Sequence, residues 1–340
     1  MIIMDFSGEK PVVRQGCPPA GILPKEYSVF RSIGLTYESF LDRDGYSKLL
    51  GEGRSMKWRR ERKSENIEDR RAARIPGGRA GGIGGIGLLL ILFVSMFMGV
   101  DPSQFLQGVD TTGGGVEQSQ LSEEELNQSS ELVSLVLGDI EATWDQLFRE
   151  ELGQDYVYPK LVLFSGAVQS ACGQASASVG PFYCPGDQKV YLDLEFLEEL
   201  QKRLGAPGDF AQAYVIAHEV GHHVQTLLGT SQYVERMSRG ASRSEANKLS
   251  VALELQADCY AGLWANRASD QNLILESGDI EEGLNAASAV GDDRLQKQSQ
   301  GYVVPDSFTH GTSAQRVEWF NKGLETGEIT ACNCPELPAV

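Results

Sequence analysis

The stretch Ala213-Tyr214-Val215-Ile216-Ala217-His218-Glu219-Val220-Gly221-His222-His223-Val224-Gln225 limits what this chain can become more than any other. On a helix, residues i and i+4 share a face, so His218 and His222 aim two imidazoles at one point. Glu219 sits one residue round from His218, beside that point and not on it. The pattern is H-E-x-x-H: two imidazoles suited to one metal ion, with a carboxylate placed as general base for a water that the metal activates. The flanks suit a helix. Asp209 is expected to cap its start, Phe210, Tyr214, Val215, Val224 and Leu228 supply apolar positions, and Gly229 follows its end.

The pentapeptide alone also fits a helix whose histidines merely bond to neighbours. A second stretch decides between the two readings: Leu253-Glu254-Leu255-Gln256-Ala257-Asp258-Cys259-Tyr260-Ala261-Gly262, beginning just over thirty residues beyond His222. Glu254 and Asp258 are again i and i+4. A catalytic zinc takes three protein ligands and keeps one position open, and two histidines with a glutamate make one such set. A ligating histidine wants its other ring nitrogen held by a carboxylate, a role for Asp258. The neighbours Val251, Ala252, Leu255, Ala257, Tyr260, Leu263 and Trp264 make this helix apolar nearly all round, hence buried, and buried carboxylates need a partner or a metal. The sequence therefore points to one Zn2+ per chain, ligated by His218, His222 and Glu254.

The formal net charge of −17 is uneven. Residues 54–80 hold ten Lys or Arg against four Asp or Glu, so the chain from residue 81 onward is strongly acidic. An acidic main body argues against nucleic acid as a partner. Residues 1–55 carry no chemical motif beyond a short helix expected at Tyr37–Leu50, and Met56 is a candidate translation start. The basic block 56–80 leads into Ile83–Val100, an uncharged apolar run extendable to residue 81. Its length reaches the lower end of the transmembrane range, no small-x-small cleavage site follows it, and the basic block is long for a signal peptide, so one uncleaved transmembrane helix is expected over 81–100 rather than a signal peptide or a core helix. Positive charge on its N-terminal side puts the N-terminus in the cytoplasm and the acidic body in the periplasm or outside the cell. Residues 101–120, with Pro102 and the Gly113–Gly115 run, read as a linker.

The body is expected over 121–335. Ser122 to Glu125 is a capping box for a helix running to about Phe148. Tyr158–Phe164 and Lys189–Leu194 read as strands, Leu194–Leu204 and Asp279–Val290 as helices, and Phe308–Phe320 as a loop entering a helix. An edge strand near the metal can pair with an extended peptide. Cys172 and Cys184 flank a Gly- and Pro-rich loop and form the best disulfide candidate. Cys259 is expected to be a packed free thiol. Cys332 and Cys334 are too close to bridge each other, and among the five cysteines of the body at least one is expected to stay unpaired. His223 points away from the metal and reads as structural. His310 either donates to the oxyanion of the reaction, approaches the metal, or holds its loop. Arg316 is placed to fasten that loop to a carboxylate near the site.

The zinc helix and the Glu254–Gly262 stretch resemble those of the bacterial neutral zinc metallopeptidase family. The resemblance extends through Lys57-Trp58-Arg59, Ala171-Cys172-Gly173, Gly180 to Pro185, Val190 to Asp193 and Thr309-His310-Gly311. It implies a gluzincin-like fold, a membrane-anchored body, His218, His222 and Glu254 as ligands and Glu219 as the catalytic residue. The expected fold class is α+β and mostly helical, with a small sheet. The expected function is peptide-bond hydrolysis on peptide or protein substrates of the cell envelope. The rival reading is a binding or chaperone-like module that keeps the fold without catalysis.

Overall fold

The computed structural model describes residues 63–71, 122–176, 180–202, 208–270 and 278–340. The helix expected at Tyr37–Leu50, the apolar run 83–100 and the linker 101–120 lie outside them. Among the described residues no helix is long and apolar enough to cross a membrane. The body is mostly helical with a small sheet, as the patterning predicts.

The first strand, β1, is Ile67–Asp69. Helix α1, Glu123–Leu147, follows, opened by its capping box: Glu125 N donates to Ser122 Oγ at 3.3 Å and Ser122 N donates to Glu125 Oε2 at 2.8 Å. Val133, Val136, Leu137, Ile140 and Trp144 recur on one face of α1 and are fully buried. A wider turn, Phe148–Leu152, closes it. Then come β2 (Lys160–Phe164), the hairpin β3 (Ala167–Ser170) and β4 (Gly173–Ser176), β5 (Phe182–Cys184) and β6 (Lys189–Asp193). The main sheet has the order β1-β2-β6-β5, with β1, β2 and β6 parallel and β5 antiparallel at the edge. Side chains alternate across it. Leu161, Leu163, Val190 and Leu192 face the helices, while Val162, Phe164 and Tyr191 face a smaller core with Val168 of β3.

The sequence sets residues 56–80 apart from the folded body as a basic segment. The structure corrects this: Ile67, Glu68 and Asp69 stand opposite Leu161, Val162 and Leu163. The pairing joins segments some ninety residues apart, which no local pattern announces.

Seven further helices follow: α2 (Leu194–Lys202), α3 (Asp209–Leu227), α4 (Thr230–Ser238), α5 (Arg243–Asp270), α6 (Asp279–Ala289), α7 (Asp292–Gln300) and α8 (Ser313–Thr326). Asp209 does not cap α3. Gly208 holds the cap position at φ 114°, and Phe210 N donates to Glu282 Oε2 at 3.3 Å. The Glu282 carboxylate, brought in by α6, takes the place a capping side chain would fill. Burial and the neighbouring Asp279 and Asp209 push its pKa up to about 7.

Helix α5 runs through the middle of the molecule. Trp264, Tyr260, Leu255 and Leu263 are fully buried on it, and each such side chain contributes roughly 1.5–3 kcal/mol of hydrophobic stabilisation. Its crossing with α8 is made by glycine on both sides. A Cβ on Gly262 would lie 1.9 Å from Phe320 O, and one on Gly323 would lie 1.9 Å from Cys259 O. Backbone meets backbone there, with no room for any side chain. Between described residues the disulfides are Cys172–Cys184 and Cys259–Cys332. Cys259 is therefore not a free thiol: its buried face of α5 meets the C-terminal turn Ile329–Cys332. None of the described cysteines is free, against the expected unpaired one.

Candidate metal centre

Helix α3 supplies His218, Glu219 and His222, and α5 supplies Glu254 and Asp258. The ligand atoms of His218, His222 and Glu254 all lie within 4.8 Å of one another. The carboxylate of Glu254 faces both rings, with Oε2 at 3.2 Å from His218 Nε2 and Oε1 at 3.4 Å from His222 Nε2.

The far side of each ring is also engaged. His218 Nδ1 is 2.8 Å from Asp258 Oδ1, and His222 Nδ1 is 2.8 Å from Gln225 Oε1. Both partners are acceptors. The Gln225 amide is oriented by its own donations to Leu253 O at 2.7 Å and Gln256 Oε1 at 3.1 Å. Each Nδ1 thus holds its proton, and each Nε2 faces a carboxylate oxygen across a gap that a proton or a cation must fill. Lone pairs facing lone pairs need a positive centre among them. Two imidazolium rings would supply it, but the ring centroids are only 4.8 Å apart and like charges there repel. One divalent cation fits the donor set, which is two imidazole nitrogens and one carboxylate, a zinc set.

The support behind His218 is ionic. Asp258, fully buried, accepts from Arg316 Nε at 2.8 Å and Nη2 at 2.9 Å and from Tyr214 OH at 2.5 Å. Burial alone would raise the Asp258 pKa, but the Arg316 and His218 charges hold it below the usual value. Burial would likewise lower His218, yet Asp258 and Glu254 push it up to about 10. Glu254 is held well below the carboxylate range by His222 and His218, although its burial works the other way. The centre is rich in negative charge, which a cation would answer.

Glu219 is buried at 8% exposure. It lies outside the ligand triangle, and no hydrogen bond joins its carboxylate to another described residue. Beside the cluster stands His310, at the end of the loop before α8. Asp292 at the start of α7 anchors it: Oδ2 accepts from the backbone N–H groups of Thr309, His310 and Gly311 at 2.8, 2.7 and 3.1 Å, and Oδ1 lies 3.2 Å from His310 Nδ1. Burial would lower the His310 pKa, but Asp292 and the charge of Glu254 raise it. His223, about a quarter-turn further round α3 than His222, faces β5. It is fully buried, with Nε2 donating to Val157 O at 2.6 Å and Nδ1 at 3.1 Å from Tyr183 OH of β5. It ties the edge strand to the zinc helix.

Residues 56–334 match the model of the family described as "Putative neutral zinc metallopeptidase". The chain belongs to this family. Among its relatives, the uncharacterized protein YpfJ of Escherichia coli K12 is 46% identical over 293 residues, covering 82% of this chain and 98% of that protein. Mb2605 of Mycobacterium bovis and Rv2575 of Mycobacterium tuberculosis H37Rv, also uncharacterized, are each 41% identical over 256 residues, covering 70% of this chain and 84% of theirs. No solved structure matches the chain. Membership gives zinc-peptidase character at the level of class only, and His218, His222 and Glu254 are the group among the described residues that could hold a metal ion.

Three contributors escape a reading of this metallopeptidase's sequence alone. Gln225 and Gln256 are neutral amides on helices, types that ordinarily face solvent. Asp292 opens α7 within Gly291-Asp292-Asp293, a run that looks like an ordinary acidic helix start. A signal existed for Gln225, which lies i+3 from His222 on the same helix face.

Proposed function

We propose that the chain is a zincin-like peptidase with one Zn2+ held by His218, His222 and Glu254. The carrying observation is that both Nε2 atoms converge on the two oxygens of Glu254 while both Nδ1 atoms are committed elsewhere. A zinc ion held there would supply Lewis acidity and bring the pKa of a water down to about 7. Glu219, buried and outside the triangle, takes the proton of the attacking water and returns it to the leaving amine. His310, held by Asp292, donates to the oxygen of the scissile carbonyl as charge develops on it. Asp258 and Gln225 keep the two ligating rings in one tautomer and orientation. An extended peptide or protein substrate would lie along β5, the antiparallel edge strand tied to α3 through Tyr183 and His223.

The disulfides Cys172–Cys184 and Cys259–Cys332 favour an oxidising compartment outside the cytoplasm. The apolar run 83–100 would attach the protein to the membrane. The substrates would then be envelope proteins or peptides.

The test compares the full chain, purified in detergent, with its Glu219→Gln variant for zinc content and casein cleavage. One zinc in each, with cleavage by the wild type alone, is the expected result. Absence of zinc from the wild type after metal-replete purification would overturn the site. In the same assay, Asp292→Asn and His310→Gln are expected to lower kcat while zinc content stays at one per chain. Loss of zinc from either variant would make His310 a ligand instead.

A further inference from the structure

We infer that residues 63–71 and the zinc-binding body lie on the same side of the membrane, so that the apolar run 83–100 is not a single crossing between them. The inference stands on β1 and its anchors and does not depend on the peptidase reading.

The segment is built into the body along its whole length. Its backbone continues the sheet: Leu161 N donates to Asn66 O at 2.8 Å and Arg70 N donates to Leu163 O at 2.8 Å. Ser64 N donates to Ser134 O of α1 at 3.0 Å, and Ser134 Oγ returns a bond to Ser64 O at 3.2 Å. Ile67 packs against the main core. The decisive contact is Glu141, a carboxylate of α1 buried to 7% exposure. Its Oε1 accepts from Ser64 Oγ at 2.9 Å and from Asn66 Nδ2 at 2.8 Å. Without residues 64 and 66 those two donors would be gone from a buried, desolvated acid. The body is therefore shaped to receive this segment.

The basic residues tell the same story. Lys63 pairs with Glu131 at 2.6 Å, Arg70 pairs with Glu68, and Arg71 Nε donates to Asp69 Oδ1 at 2.9 Å. Lys189 of β6 reaches Glu68 at 2.7 Å. Lys63 of the segment and Lys189 of the body thus pair across the junction, while Arg70 and Arg71 pair within the segment, so part of the positive charge near residue 63 serves the fold.

The connection also closes on itself. Arg71 Nη1 lies 3.4 Å from Leu126 O in the first turn of α1, and Ser122 caps that same helix. Residue 71 and the start of α1 therefore lie at one corner of the body. One apolar run of eighteen residues crosses a bilayer core once. The stretch that follows it, with Asp101, Pro102, Asp110, Gly113-Gly114-Gly115 and Glu117, is too polar to cross back. A chain with both ends fixed to one folded unit cannot cross once and stay docked.

The experiment uses the full chain in cells, with Lys63→Cys and Gln128→Cys made singly and treated with a membrane-impermeant thiol reagent before and after permeabilisation, against the labelling of the unaltered chain. Both positions are exposed. Identical accessibility at the two positions, whether before or only after permeabilisation, is expected. Labelling of one before permeabilisation and of the other only afterwards would overturn the inference. As a second readout, a short bis-maleimide should join Lys63→Cys to Glu131→Cys within one chain in native membranes. Failure of that crosslink would overturn it as well.

Discussion

The two histidines of the proposed metal site are supported in opposite ways. Behind His218 stands a charged assembly: the Asp258 carboxylate, the Arg316 guanidinium and the Tyr214 hydroxyl, all buried. Behind His222 stands a neutral relay, in which Gln225 passes to Gln256 and Gln256 Nε2 donates to Cys332 O at 3.2 Å. An ionised acceptor makes a stronger bond to an imidazole N–H than an amide oxygen does, and it raises the basicity of the other nitrogen. His218 is thus the stronger donor to a metal. His222 is held by orientation more than by charge, and its relay ends on the disulfide Cys259–Cys332.

That contrast can be broken at four points. The largest effect is expected at the far end of the neutral relay. Replacing both Cys259 and Cys332 by Ala opens a link spanning 73 residues; loop entropy puts the loss of stability at about 4 kcal/mol, read by denaturant unfolding of the full chain. Unchanged stability would mean that packing alone ties the C-terminal turn to α5. Next comes Asp258→Asn, expected to weaken zinc binding by about 100-fold in a chelator competition, the upper end for such supports. Gln225→Leu follows, at about tenfold. Equal losses for these two variants would erase the distinction between charged and neutral support. The smallest is Gln256→Leu, one bond further from the metal, which should cost less zinc affinity than Gln225→Leu; a larger cost would put the control of His222 in Gln256 itself.

What could be read in advance was whatever sits within one or two turns of a helix. His218, His222 and Glu219 share one helix, and Glu254 and Asp258 another, so helical spacing places each group. The apolar surroundings of α5 told that Asp258 is buried, while Glu254, turned toward the two rings, is only partly so. The α1 capping box was legible for the same local reason. What escaped depends on distant pairing. β1 meets β2 across some ninety residues, and a three-residue parallel edge strand leaves no periodic trace. Cys259 looked like core because its partner lies 73 residues on, and connectivity does not follow from spacing. Asp209 looked like a cap until α6 delivered Glu282 to the same place.

The glycine-on-glycine crossing of α5 and α8 has a consequence for metal selection. Gly262 lies one turn beyond Asp258, and Gly323 lies two turns beyond Arg316. Backbone contact at the crossing fixes the registry of the two helices, so the Arg316–Asp258 pair cannot slide and the ring it orients cannot drift. A centre built there would have the orientation of its His218 ring set before any ion arrives. Ions that seek six to eight oxygen ligands, such as calcium, would meet a single carboxylate. A small tetrahedral ion would fit two imidazoles and that carboxylate, with one of the rings steadied by a stretch of chain that never touches the ion.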